Sequence, residues 1–132
     1  MTFELWILLA SAFWGLVHIA ADSFAFKAQA GNKYTVGPRD ENLARQGVAG
    51  RLHRAQKNFM ETYPIFVSCV LIVYLTESAG KLSYWGTLLY LVGRILFLPL
   101  YALGIPWIRT FSWQIATFGL VLVGVQAVVS GL

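Results

Sequence analysis

The sequence is poor in charge, in acid and in cysteine. Of its 132 residues 12% are charged, six are Asp or Glu, and one, Cys69, is a cysteine. A single cysteine excludes an intramolecular disulfide framework and any cysteine-built metal cluster. The two histidines and scattered carboxylates form no group of the kind a metal ion needs, so no metal is expected. No repeat or low-complexity tract is present. The scarcity of charge, set against 58% hydrophobic residues and a mean hydropathy of +0.63, excludes an ordinary soluble domain. Basic residues are missing from the start of the chain, where the early charge is Glu4, and the first apolar run is longer than a leader. It reads as a retained transmembrane helix. Thr2 stands where myristoylation needs glycine, and no CaaX cysteine closes the chain.

What is present is a pattern of four long apolar segments, an all-α four-transmembrane-helix bundle in one domain, 1–132. The first runs from about Phe3 to Phe26 and is interrupted late by His18 and Asp22, which share a helix face. These two are either a satisfied polar pair, with each other or with a neighbouring base, or members of a site. A polar stretch from Ala28 to Gln46 contains Gly37-Pro38, and Asp40 or Asn42 is placed to cap a helix starting near Glu41. That helix runs to Leu75 or Glu77, with a kink expected at Pro64. The third segment spans Leu82 to Leu103 with Arg94 as its charge. The fourth spans Trp107 to Leu132 with Arg109 in its first turns, and its Gly119 and Gly124 offer close helix contact.

The net charge is +4 and the pI about 9.5. The basic residues gather between Lys27 and Lys57, with Arg109 at the third loop. They mark one side of a membrane protein rather than a nucleic-acid surface, so no nucleic-acid partner is expected. The positive-inside rule puts the first and third loops in the cytoplasm and both termini on the opposite side. Trp6, Trp85, Trp107 and Trp113 fall near segment ends, as interface belts do.

The informative stretch is Arg51 to Pro64. On a helix, Arg51, Arg54, Asn58 and Glu61 fall within roughly 80° of arc. Charge that continues into an apolar helix is costly and faces a polar interior or a site. Arg94 and Tyr101 share a face of the third segment, and Arg109 opens the fourth on the same side. Arg51, Arg54, Lys57, Asn58, Glu61, Arg94, Tyr101 and Arg109 are thus brought to one depth. Such a cluster either binds a small anion or cements the bundle. Within it, Arg51 is read as snorkelling at the headgroups and Arg94 as an internal counter-ion of Glu61. His53, on another face, is read as interfacial.

The run Arg54-Ala55-Gln56-x-Asn58-x-x-Glu61, followed by Tyr63-Pro64, resembles the signature of the membrane-associated proteins in eicosanoid and glutathione metabolism, the MAPEG family. Val92-Gly93-Arg94, Tyr101 and Pro106-Trp-Ile-Arg109 are similar to its later landmarks. The resemblance implies a homotrimer that binds glutathione between subunits, in the cytoplasmic half of the membrane. By position, Arg54 and Gln56 hold the glycine carboxylate, Asn58 and Glu61 the γ-glutamyl end, and Tyr101 adds a hydroxyl. Lys27 gives a further carboxylate contact. Arg109 is the catalytic arginine that stabilises the thiolate; Arg94 and Arg51 are supporting. The implied activity is a glutathione transferase or peroxidase acting on a lipophilic small molecule that arrives from membrane lipid. The alternative is a non-catalytic lipid- or anion-binding scaffold of the same fold. Thr62 and Trp113 stand where some members carry tyrosine, and Phe97 and Leu98 where some carry other ligands, so the acceptor is not specified.

Overall fold

A computed structural model describes residues 1–132 as an all-helical chain. The elements are α1 (Phe3–Ala30), the short α2 (Asn32–Val36), α3 (Gly47–Leu75), α4 (Lys81–Ala102) and α5 (Pro106–Gly131). Four of them, α1, α3, α4 and α5, are long and apolar enough to cross a membrane. The chain is a multi-pass membrane protein.

Helix α1 is built inside out. Its buried residues are Glu4, Ile7, Ser11, Gly15, His18, Asp22 and Phe26, a stripe at three- and four-residue spacing that is largely polar. Trp6, Phe13, Leu16 and Phe24 are exposed instead. Lipid tails accept an apolar exterior, and Glu4, Ser11 and Asp22 find partners within the bundle, while the His18 ring nitrogens do not. Ser83 Oγ donates to the buried Glu4 carboxylate (2.7 Å), and Ser11 Oγ lies 3.3 Å from the Tyr63 hydroxyl. The helix stops at Gly31, whose φ of 86° belongs to the left-handed region that glycine occupies freely.

The second long helix begins at Gly47, later than the start near Glu41 that the capping pattern suggests. Arg39 and Asn42 have φ of 60° and 51°, which no helix admits. The side chain of Gln29 explains the rest: its Nε2 donates to Ala44 O (2.9 Å) and its Oε1 accepts from Gln46 N (2.8 Å). Those backbone groups are thereby held along α1 rather than in a helical ladder. Pro64 does not break α3, which stays one helix to Leu75.

The tightest packing is between α4 and α5. A Cβ on Gly86 would lie 2.6 Å from Gly119 O, and one on Gly93 would lie 2.7 Å from Ser112 O. Gly119 therefore serves the close approach expected of it. Gly124 does not, because a Cβ there would meet only Cys69 Sγ, at an ordinary 3.8 Å. The turn between the two helices passes through Gly104 at φ 73°. The core against α3 is aromatic: Phe66 stacks on Tyr90 at 3.8 Å, and Phe59 stacks on Tyr63 at 4.9 Å.

Candidate functional site

Helix α3 is about 43 Å long, well beyond the ~30 Å hydrocarbon core of a bilayer. Counting back from Leu75, that core takes about 20 residues and ends near Ala55. Arg54 then lies at the boundary, with Asn58 and Glu61 inside it. Arg94 sits about 12 Å from the end of α4, at a matching depth.

At this depth α3, α4 and α5 enclose a cleft of about 190 Å³ lined by Asn58, Phe97, Tyr101, Arg109, Thr110 and Trp113. Three of the residues singled out in the sequence, from three helices, thus meet on one surface. Pro106 starts α5 and sets Arg109 in its first turn. The Arg109 guanidinium lies 4.4 Å from the centre of the Tyr101 ring, a cation–π contact that fixes its position. It makes no ion pair or hydrogen bond within the chain, so its donors are free. Thr110 Oγ1 donates to Pro106 O (3.0 Å). Trp113 forms part of the cleft wall.

Arg94 is 1% exposed, and no carboxylate lies within ion-pair distance. The expected pairing with Glu61 is absent. Glu61 points to the outside of the bundle, while Arg94 points into it and lies within 5.3–5.8 Å of the centres of the Phe59, Tyr90 and Phe97 rings. Its Nη1 donates to Asn58 Oδ1 (2.7 Å), and its Nη2 donates to Thr62 Oγ1. Trp14 Nε1 donates to the Arg94 carbonyl (3.0 Å), tying α1 to the same point.

The other assigned residues do not line the cleft. Arg54, Glu61 and Lys27 are exposed and Gln56 is half-buried, all four without side-chain partners in the chain. Arg51 does not snorkel: its Nε donates to Ala102 O (2.9 Å), closing the C-terminus of α4. His18 and Asp22 do not pair with each other. Asp22 meets His53 Nδ1 at 3.0 Å and Arg45 Nε at 3.3 Å, and Arg45 also sits 4.2 Å over the Phe26 ring. His53 is therefore a structural partner of α1. His18 is fully buried, stacks on Phe59 at 4.7 Å, and neither of its ring nitrogens has a partner.

A larger cleft of about 380 Å³ lies in the first loop, lined by Ala30, Lys33, Tyr34, Gly37, Pro38, Arg39 and Glu41. Its Arg39 is already engaged, donating through Nε and Nη2 to Thr35 O at 3.0 and 2.8 Å. It lies apart from the charges that enter the membrane, so the smaller cleft is the candidate site despite its size. Sequence reasoning missed Thr110, and marked Phe97 and Trp113 as positions where other family members carry different ligands, without placing them in the wall. Each lies four residues from Tyr101, next to Arg109 or one turn beyond it, a spacing that places it at the same depth.

The chain matches the model of the MAPEG family over residues 5–129. No curated protein and no solved structure matches it.

Proposed function

This chain belongs to the MAPEG family, and on that premise we propose that it is a membrane glutathione transferase or peroxidase. The observation that carries the reading is the meeting of Asn58, Tyr101 and an unpaired Arg109 in one cleft. A free thiol has a pKa of about 8.5 and is only a few per cent ionised at neutral pH. A fixed guanidinium beside it raises the thiolate fraction, and arginine keeps its charge at any physiological pH. Arg109 is that group. Tyr101 holds it from one face and directs a hydroxyl to the ligand.

The cleft is smaller than the roughly 300–1,000 Å³ of ordinary ligand pockets. Glu61 is uncovered at a depth where bare charge is not tolerated. Both facts favour a half-site completed by a second copy of the chain in a homotrimer. Glutathione then lies between copies. Arg54 and Gln56 hold its glycine carboxylate, Glu61 its ammonium, Asn58 and Tyr101 the rest of the γ-glutamyl end, and Lys27 a further carboxylate contact. The first and third loops are cytoplasmic, so the tripeptide enters from that side and the lipophilic acceptor from the bilayer.

In the transferase step the sulfur forms a bond to an electrophilic carbon, and the leaving group departs with its electron pair. In the peroxidase step the sulfur attacks the outer oxygen of a hydroperoxide. The O–O bond breaks, the alkoxide takes a proton, and a second glutathione reduces the resulting sulfenic acid to disulfide and water. Orientation and charge stabilisation are what the protein supplies to both.

The test is glutathione binding and conjugation of a lipophilic electrophile by the purified protein in detergent. Saturable binding and turnover are expected, with Glu61→Ala losing binding by tenfold or more. Absence of both binding and conjugation, with a lipid retained through purification and no effect of glutathione on Tm, would support the scaffold reading instead.

A further inference from the structure

The cleft has a polarity, and one buried residue outside its lining sets it. Asn58 carries a carbonyl oxygen and an amide NH2 that are nearly isosteric, so its neighbours decide which faces a ligand. Arg94 is buried and carries only donors. Its Nη1 donates to Asn58 Oδ1 at 2.7 Å. The opposite amide orientation would set NH2 against guanidinium, two donors face to face with no acceptor between them. With Oδ1 engaged, Asn58 Nδ2 is left without a partner, and it is not a buried atom. Asn58 lines the cleft, so that free donor belongs to the site. Thr62 reinforces the arrangement by accepting from the other arm of the same guanidinium.

We infer that Arg94 is a positioning residue that locks Asn58 as a hydrogen-bond donor, so that the Asn58 subsite takes an oxygen of the ligand and rejects an ammonium. This rests on the glutathione reading above and sharpens it. Asn58 contacts a carboxylate or carbonyl oxygen of the γ-glutamyl end, and the ammonium is left to Glu61 alone. The same geometry explains why a buried cation persists without a carboxylate. An acid at position 58 would neutralise Arg94 but would turn the subsite from donor to acceptor.

Asn58→Asp separates this role from simple structural support, because it moves stability and binding in opposite directions. The protein in detergent is followed by thermal unfolding without ligand and by calorimetric titration with glutathione. Asn58→Asp is expected to raise Tm by several degrees, through an ion pair with Arg94, while weakening glutathione binding at least tenfold. Arg94→Lys, which keeps one charge but cannot reach both Asn58 and Thr62, is expected to weaken binding severalfold. A Tm for Asn58→Asp at or below that of the parent would overturn the coupling between Arg94 and position 58, whatever the ligand. Undiminished glutathione binding by either variant would overturn the assignment of the donor. Failure of the parent to bind glutathione would instead overturn the reading of the site, and with it the ligand half of this inference.

Discussion

At the scale of single residues, Asp22 ties the first loop to the bundle. Its carboxylate meets His53 on α3 and Arg45 in the loop, and Arg45 also covers Phe26. Asp22→Asn keeps the shape and removes the charge. The expected cost is about 2 kcal/mol, the scale of a hydrogen bond to a charged group, read as a lower Tm. Limited proteolysis should cut more readily between Arg39 and Gln46 as Arg45 is released. Unchanged Tm and unchanged cleavage would contradict the tether. The sequence marked Asp22 as worth explaining, because an acid in an apolar helix requires a partner. It did not identify the partner, because His53 and Arg45 lie far along the chain and the rotation of α3 about its axis decides which side chain faces α1. Arg94 illustrates the same limit. Its burial was legible from an arginine in an otherwise uncharged segment. Its pairing with Glu61 was a guess from charge alone, and the packing of α3 turned Asn58 and Thr62 inward instead.

At the scale of elements, the helices themselves were legible from four apolar runs, and their ends mostly so. Three points differ: α1 continues past Phe26 to Ala30, the short α2 (Asn32–Val36) forms within the stretch read as loop, and α3 starts later than expected. Asp40 and Asn42 are good capping residues, but the Gln29 side chain captures the backbone of Ala44 and Gln46 and delays the helix to Gly47. Nothing local to residues 40–46 signals a clamp from α1. The α4–α5 contact was half legible. Gly119 drew notice as a small residue on an apolar helix, whereas its partner Gly86 did not. Gly86→Ala would drive a methyl to within 2.6 Å of a backbone oxygen. Over-packing of this kind typically costs about 1–3 kcal/mol, and here the obstacle is backbone, which does not rotate away. Thermal unfolding should show Gly86→Ala well below the parent and Gly124→Ala close to it. Equal Tm values for the two variants would contradict the packing described.

At the scale of the whole molecule, the single chain exposes charges in α3 that a bilayer does not solvate, beside a cleft too small for a tripeptide. Under the proposed function, further copies of the chain cover these charges and glutathione lies between the copies. Chemical cross-linking in detergent should give species up to three copies, and a cysteine placed at Glu61 should cross-link between copies. A purely monomeric protein would contradict this. That polar residues of three helices come to one depth was legible from their places in the apolar segments, and Asn58, Tyr101 and Arg109 do meet in the cleft, whereas Arg54 and Glu61 do not line it. The aromatic walls Phe97 and Trp113 were marked as positions where family members carry other ligands; that both wall the cleft follows from the assembled helices. The central claim is that Arg109 holds glutathione as its thiolate. The most direct measurement is the ultraviolet absorbance of the thiolate as glutathione is titrated into the purified protein at neutral pH. A saturable thiolate signal is expected that disappears in Arg109→Ala, while glutathione binding falls by less than about tenfold, since the other contacts to the tripeptide remain. A parent protein that binds glutathione without a thiolate signal, or an Arg109→Ala variant that keeps the full signal, would contradict it.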